Sequence, residues 1–331
     1  MSGLLLAASF AVILAGALLF TNAVEWLGHR LAMGEGAVGS LLAAVGTAMP
    51  ETLIPIVALI NGGQGNEDVA VGAIVGAPFL LATIAMLLVG VTALAYQTRR
   101  AQGRGLVADM ATLERDLSFF LVFFAAGMVL GLGAPDGVRI AAAAAFVLAY
   151  ALYVRRTLRG DGTVQAEETL RPLVMGRSTA VDPGGPIILL QFVIGLGAMV
   201  GGAHLFVEEL LNVAEEIGAE ALVLSLVLAP LATELPEKAN SFFWIREGKD
   251  SLALGNITGA MVFQSTMPIA VGLAFTDWDL DRFAILSMAL GLGGGAVAYW
   301  ALRLRARFDL AALLAWGALY AAFLAFVIVA G

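Results

Sequence analysis

Two glutamates that each directly follow a proline are the residues of this sequence best placed to do chemistry. Glu51 ends the segment TAMPE, and Glu237 ends the segment TELPE. Glu51 has fifteen uncharged residues on each side, which is enough apolar chain for a helix that crosses a membrane. A charged side chain in the middle of a bilayer costs about 2.5 to 3.5 kcal/mol, so a glutamate at that depth is a candidate functional residue.

Each glutamate is accompanied in the sequence by further oxygen atoms that can bind a cation. The two prolines lack an N–H and therefore free the carbonyl oxygens of Gly46 and Ala232. The hydroxyls of Thr47 and Thr233 precede the glutamates by four residues and share their helix face. Because Ca²⁺ prefers such oxygen ligands and Na⁺ accepts them, we predict one cation site with both glutamates as metal ligands. The alternative is that each proline only bends its helix and each glutamate hydrogen-bonds as a neutral acid.

The composition requires that these segments lie in a membrane. Hydrophobic residues make up 60% of the 331 residues, charged residues make up 13%, and the mean hydropathy is +0.91, whereas soluble domains carry about 25% charged residues. The net charge of −8 argues against nucleic acid as a partner. The absence of cysteine and the presence of only two histidines exclude thiolate sites and disfavour histidine zinc sites. The partners that remain are inorganic cations and the lipid bilayer.

Ten apolar stretches between the sparse charges predict ten transmembrane helices. Each approaches the roughly 20 residues that a helix needs to cross a bilayer. The fifth stretch is short, and we expect its helix to extend at both ends. The stretches cover residues 1–24, 36–66, 69–98, 117–135, 140–154, 183–207, 221–245, 251–276, 283–302 and 310–331.

The distribution of lysine and arginine predicts the orientation in the membrane. Fifteen of the 18 basic residues fall in loops that follow odd-numbered helices, and only Arg139 and Arg282 fall in the other loops. Lys238 lies within a predicted helix. Since positive charge is enriched on the cytoplasmic side, we expect both termini to lie outside the cytoplasm, in a multi-pass protein of the cell (inner) membrane.

The two halves of the sequence resemble each other. A polar linker over residues 155–185 separates a first half, residues 1–154, from a second half, residues 186–331. Each half has five predicted helices, so the second half must enter the membrane from the opposite face. We therefore predict an all-α integral membrane protein in which ten transmembrane helices form two inverted five-helix repeats, as in many secondary transporters. The matching segments are GALLF and GAHLF at 16–20 and 202–206, TAMPE and TELPE at 47–51 and 233–237, and AVGAIVGA and ALGNITGA at 70–77 and 253–260.

The repeats carry a family resemblance. VGTAMPETLIPIVALINGGQGNEDVAVGAIVGAPF and LATELPEKANSFFWIREGKDSLALGNITGAMVF resemble the α-1 and α-2 repeats of the sodium/calcium exchanger superfamily, also called the cation/calcium antiporters. Their pattern is G-T-S-x-P-E, followed by a loop and a G-N-x-x-G-S-N or G-S-D helix. The resemblance implies antiport of Ca²⁺ and another cation by alternating access. It also implies that the repeat glutamates share the cation and that the first helix of each half slides past the other eight.

Departures from the family pattern leave two interpretations open. The family serine is replaced by Ala48 and by Glu234, and Lys238 follows Glu234 at the favourable i,i+4 spacing. Lys238 could take the place of one bound cation, or Glu234 could supply a missing acidic ligand while Lys238 points elsewhere. Three polar residues near the motifs could line the ion pathway or only pack between helices: Asn256, which matches the family G-N, Asn240 and Gln264.

These observations predict a secondary antiporter that exchanges Ca²⁺ or a similar cation for Na⁺ or H⁺, with no resident cofactor. An intramembrane enzyme is disfavoured because the sequence has neither H-E-x-x-H nor G-x-S-x-G. The remaining alternative is a degenerate family member that binds cations or has a structural role without coupled transport. The identity of the counter-ion and the oligomeric state stay open at this point.

Overall fold

The computed structural model describes residues 1–30, 43–101, 103, 105–159, 172–176, 183–305 and 309–330. Side chains are described in these ranges except at positions 28, 43–48, 158, 159, 235–237, 239, 240, 304 and 305. Most of the described chain is helical. The helices are α1 (Ser2–Arg30), α2 (Ala43–Asn61), α3 (Gln64–Leu80), α4 (Met86–Ala95), α5 (Met110–Leu130), α6 (Asp136–Arg159), α7 (Gly185–Ile217), α8 (Ala221–Glu247), α9 (Asp250–Gln264), α10 (Met267–Phe275), α11 (Arg282–Arg305) and α12 (Leu310–Ala330).

Seven helical segments of the described chain are long and apolar enough to cross a membrane. Two of them are composite: α3 and α4 form one segment, Gln64–Ala95, and α9 and α10 form another, Asp250–Phe275. The described apolar parts of α2 and α8 are shorter, at Met49–Asn61 and Ala221–Glu234. The all-helical membrane fold is thus confirmed, and the number of ten spans stays a prediction.

Several helix ends differ from the predicted stretches. The fifth helix extends over Asp136–Arg159, beyond both ends of its apolar stretch, as expected. The sixth continues to Ile217, ten residues past the predicted end, because its last turns are amphipathic rather than apolar. The stretch 36–66 contains a turn that hydropathy does not reveal. There Gly62 and Gly63 take φ angles of 70° and 91°, which favour glycine and end α2 at Asn61.

Helices α1 and α7 pack closely against each other through glycines. A Cβ atom on Gly16 would lie 2.8 Å from the backbone nitrogen of Met199, and one on Gly202 would lie 3.1 Å from that of Ile13. The helices are antiparallel, since the earlier residue of α1 contacts the later residue of α7. Glycine permits this approach of two backbones in a membrane. The two contacts are reciprocal, because Gly16 and Gly202, like Ile13 and Met199, are separated by 186 residues.

Helices α3 and α8 form a second close pair. Side chains at Gly72 and Gly76 would overlap the backbone carbonyls of Leu222 and Leu226, and the hydroxyl of Ser225 donates a 2.6 Å hydrogen bond to a carbonyl of α3. One hydrophobic core runs through α3 to α6 and α8 to α12. A smaller core joins α1, α2 and α7 to the adjoining faces of α3 and α8.

The composite segments are irregular at matching places. A π-helical turn, Leu81–Ala85, joins α3 to α4, and a break at residues 265 and 266 separates α9 from α10. Thr83 donates to the carbonyl of Phe79 at 2.7 Å, and Thr266 donates to the carbonyl of Val262 at 2.8 Å. Both threonines and both acceptors are 183 residues apart, which is the separation of AVGAIVGA and ALGNITGA. Such irregular turns commonly mark functional positions in membrane helices.

Candidate functional site

The carboxyl group of Glu51 is buried in the helix bundle. Its helix, α2, packs against α1, α3, α7 and α8, and the Glu51 side chain retains only 6% of its exposure. Pro50 and Pro55 lie within the same helix. Gly46 and Thr47 belong to the first turns of α2, but the side-chain placement of this part lies outside the described residues. The structure therefore buries Glu51 among helices, and its position at the middle of the membrane stays a prediction.

The second motif lies in the middle of α8 and is also buried. Thr233 has 7% exposure, and its hydroxyl donates to the carbonyl of Ala229 at 3.1 Å, which leaves the lone pairs of the oxygen available to a cation. Ala232 is half-buried. The backbones of Glu237 and Asn240 belong to α8, and their side chains lie outside the described residues. Whether Glu237 and Glu51 meet therefore stays a prediction.

Glu234 and Lys238 form a fully buried ion pair on α8. The Nζ atom of Lys238 lies 3.6 Å from Oε2 of Glu234, and both residues have 0% exposure. The other carboxylate oxygen of Glu234 accepts a hydrogen bond from the Gln264 side-chain amide. Gln264 is the last residue of α9, directly before the helix break. The break therefore positions a donor from a second helix on the carboxylate, and Lys238 points at Glu234 rather than elsewhere.

Asn256 takes part in a contact between α9 and α8. Its amide donates a 3.0 Å hydrogen bond to the hydroxyl of Ser241, which is buried. The contact supports the packing interpretation of Asn256 and leaves its amide oxygen free to accept another hydrogen bond. Among the side chains that the structure describes, no three acidic or histidine groups are close enough to share a metal ion.

An open apolar groove of about 310 Å³ runs between α1 and α8. Ala232, one of the predicted carbonyl ligands, lies in its wall, so the groove approaches the second motif from the side. The lining residues are Phe10, Ala11, Leu14, Leu228, Leu231 and Ala232.

A buried ion pair that the sequence did not reveal holds the start of α9. Arg100 donates to both carboxylate oxygens of Asp250 at 2.6 and 2.7 Å, and both side chains are fully buried. The backbone N–H of Val107 also donates to Asp250 at 3.0 Å. From the sequence alone, Arg100 is one of several basic residues in a loop. The only sequence feature that singles out Asp250 is its position at the start of a helix, where a carboxylate is favoured.

Asp116 is a second buried carboxylate outside the predicted site. It accepts hydrogen bonds from the Tyr153 hydroxyl of α6 at 2.7 Å and from the Thr258 hydroxyl of α9 at 3.0 Å. Arg115 donates to it at 3.1 Å. These three partners give the carboxylate enough contacts to stay buried, so Asp116 links α5 to α6 and α9 rather than offering a vacant ligand.

Comparison with known proteins identifies the family. The model of the family described as sodium/calcium exchanger protein matches residues 1–158 and 187–329. The chain belongs to this family. Two relatives of this chain are CaxA of Alkalimonas amylolytica, 25% identical over 80% of this chain and 78% of CaxA, and the inner membrane protein YrbG of Escherichia coli (strain K12), 25% identical over 75% of this chain and 71% of YrbG.

A solved structure shares the fold of this chain. The crystal structure of the H⁺/Ca²⁺ exchanger CAX superposes with a TM-score of 0.73 over 99% of this chain and 82% of that chain. The sequence identity is 19%, so this likeness concerns the fold. A multi-pass membrane protein of the sodium/calcium exchanger family is thus confirmed.

Proposed function

We propose that this protein is a secondary antiporter that exchanges Ca²⁺, or a similar cation, for Na⁺ or H⁺ by alternating access. The observation that carries the proposal is the buried Glu51 carboxylate on the proline-containing helix α2 of an exchanger-family chain. A buried carboxylate is costly and is retained where a cation or another charge compensates it. CAX, which shares the fold, is an H⁺/Ca²⁺ exchanger, and the family name specifies sodium and calcium.

The proposed cation ligands come from the two segments around Pro50 and Pro236. Glu51 and Glu237 bind the transported ion directly, and Glu234 contributes its carboxylate from the adjoining turn of α8. Weaker oxygen ligands complete the coordination shell: the hydroxyls of Thr47 and Thr233 and the carbonyls of Gly46 and Ala232. The burial of Thr233, and the single hydrogen bond in which its hydroxyl acts as donor, support its place in this set.

The proposed architecture consists of ten transmembrane helices in two inverted repeats, residues 1–154 and 186–331, joined by a cytoplasmic linker at 155–185. Two structural features support it: the reciprocal glycine contacts between α1 and α7, and the irregular turns at matching places in the two composite segments. The antiparallel pair α1 and α7 is the proposed moving unit. The pair contacts its neighbours through the smaller core, apart from the main core of the bundle, and the open groove beside α1 leaves room for it to slide against the remaining helices.

The test is ⁴⁵Ca²⁺ uptake by the full chain in liposomes, driven by an outward Na⁺ or H⁺ gradient. We expect uptake under at least one gradient. Glu51→Gln should lower its rate about 30-fold or more, because loss of a buried charged contact costs about 2 kcal/mol or more. Glu208→Gln, at an exposed position of α7, is the matched control and should transport normally.

The outcomes separate the two candidate functions. Wild-type uptake that survives in Glu51→Gln would contradict the assignment of the ligand. Absence of gradient-driven uptake by folded wild-type protein, together with retained Ca²⁺ binding, would favour the non-transporting family member, for which the buried Glu234–Lys238 pair is the structural argument. The gradient that drives uptake identifies the counter-ion.

A further inference from the structure

Lys238 is among the largest fully buried side chains of the described structure. An ammonium group without water is costly unless a negative charge lies beside it. Glu234 supplies that charge at 3.6 Å, and Gln264 of α9 holds the Glu234 carboxylate from the other side. The positive charge is thereby fixed one helical residue beyond Glu237, within the segment that carries the proposed ligands.

A purely structural role accounts poorly for this pair. Glu234 and Lys238 belong to the same helix, so the ion pair itself is local. A hydrogen bond from the neutral amide of Gln264 links Glu234 to α9, and this hydrogen bond does not require a lysine. Apolar residues of similar volume usually stabilise a buried position as well as an ion pair does, or better. The other buried pair, Arg100–Asp250, differs in this respect, because it joins the segment after α4 to the start of α9. Because the Glu234–Lys238 pair is buried within α8, the helix that carries proposed ligands, we consider its effect on the net charge of the cation site.

We propose that Lys238 is a built-in counter-cation of the transport site, which takes the place of one monovalent cation when Ca²⁺ is bound. The inference rests on the proposed function. Glu51, Glu234 and Glu237 with Lys238 carry a net charge of two negatives, which one Ca²⁺ neutralises. Without Lys238, the same three carboxylates would need a monovalent cation together with Ca²⁺. A neutral loaded site crosses the low-dielectric interior more readily than a charged one.

The experiment is ⁴⁵Ca²⁺ self-exchange, in which only the Ca²⁺-loaded protein has to reorient. Liposomes containing the full chain hold the same Ca²⁺ concentration on both sides, in N-methyl-D-glucamine buffer at a fixed alkaline pH. The measured quantity is the ratio of the exchange rate with added Na⁺ to the rate without it. In the wild type this ratio should not exceed one. In Lys238→Met it should rise to about ten or more, since exchange without Na⁺ leaves one uncompensated charge.

A series of variants tests the charge rather than the side chain. Lys238→Arg, which keeps the charge, and the double variant Glu234→Gln/Lys238→Met, which removes both charges, should keep a ratio near that of the wild type. Glu234→Gln alone leaves an excess positive charge, so its exchange should be slow and Na⁺ should not accelerate it. Lys249→Met, at an exposed lysine, is the matched control for loss of a lysine.

The outcomes distinguish this inference from the proposed function. If the wild type shows no Ca²⁺ self-exchange, the antiport proposal itself fails. If the wild type exchanges and folded Lys238→Met has the same ratio, or stays inactive with Na⁺, the role of Lys238 is disproved while antiport stands. Should Lys238→Met not fold, the double variant decides, because activation by Na⁺ in that variant would equally overturn the charge balance.

Discussion

Arg100 and Asp250 show how much one pair of side chains contributes to the end of the bundle at which α9 begins. One guanidinium nitrogen of Arg100 donates to both oxygens of the buried carboxylate, and the Val107 N–H is a second donor to it. Asp250 begins α9, the helix that carries Asn256 and ends at Gln264. Any shift at the start of this helix moves the amide that holds Glu234, so the pair positions the site from a distance.

Removal of one charge of this pair should destabilise the protein strongly. We expect Asp250→Asn to lower the free energy of unfolding by about 3 to 5 kcal/mol, because it leaves the guanidinium of Arg100 buried without its counter-charge. The measurement is thermal unfolding in detergent micelles. Glu247→Gln, in an exposed pair with Lys249, is the control and should leave the melting temperature nearly unchanged, because water already screens that pair. Equal melting temperatures for the two variants would contradict this role.

Residues close in sequence could be predicted, and residues distant in sequence could not. The Glu234–Lys238 contact follows from the i,i+4 spacing within one helix, and the burial of Glu51 follows from its uncharged surroundings. The Arg100–Asp250 contact joins positions 150 residues apart, and no local pattern specifies it. Its discovery required the packing of the helices.

At the scale of helices, the close pair α1 and α7 depends on glycine at particular positions. A Cβ atom on Gly195 would lie 2.6 Å from the backbone nitrogen of Phe20 in α1, whereas one on Gly197 would meet nothing within 4 Å. The sequence predicted helices here, but it could not assign which of their glycines touch the neighbouring helix. The break at residues 265 and 266 was not predicted either, because three polar residues, 264–266, are too few to divide the apolar stretch 251–276.

Substitution of these two glycines should have opposite effects. Gly195→Ala forces α1 and α7 apart, so we expect a lower melting temperature in detergent and slower ⁴⁵Ca²⁺ uptake. Gly197→Ala adds a methyl group in open space and reduces the backbone entropy of the unfolded chain, so its melting temperature should stay the same or rise slightly. A comparable loss of stability in both variants would show that the close approach of the helices is not the cause.

At the scale of the whole molecule, the number of helices that cross the membrane before a loop determines on which side of the membrane that loop lies. Fifteen basic residues on one set of loops and two on the other predict the cytoplasmic side. Seven segments of the described chain meet the length and hydropathy expected of a span, and the inverted arrangement needs ten. The three helices that are not counted among the seven are α2, α5 and α8. The described apolar parts of α2 and α8 are short, and α5 contains several charged residues, so these helices do not meet the criteria for a span.

Single cysteines in this naturally cysteine-free chain can count the crossings. Gln64 and Asp279 are exposed, at the start of α3 and after α10, and six predicted helices separate them. Because six crossings return the chain to the same side, Gln64→Cys and Asp279→Cys should both react with a membrane-impermeant maleimide added outside intact cells or spheroplasts.

Gly162, in the linker outside the described residues, is three crossings from Gln64, and Arg303 is one crossing from Asp279. Gly162→Cys and Arg303→Cys should therefore react only after permeabilisation. Labelling of Gln64→Cys and Gly162→Cys from the same side would require an even number of helices between them, which is incompatible with five helices in each half and with the inverted repeat.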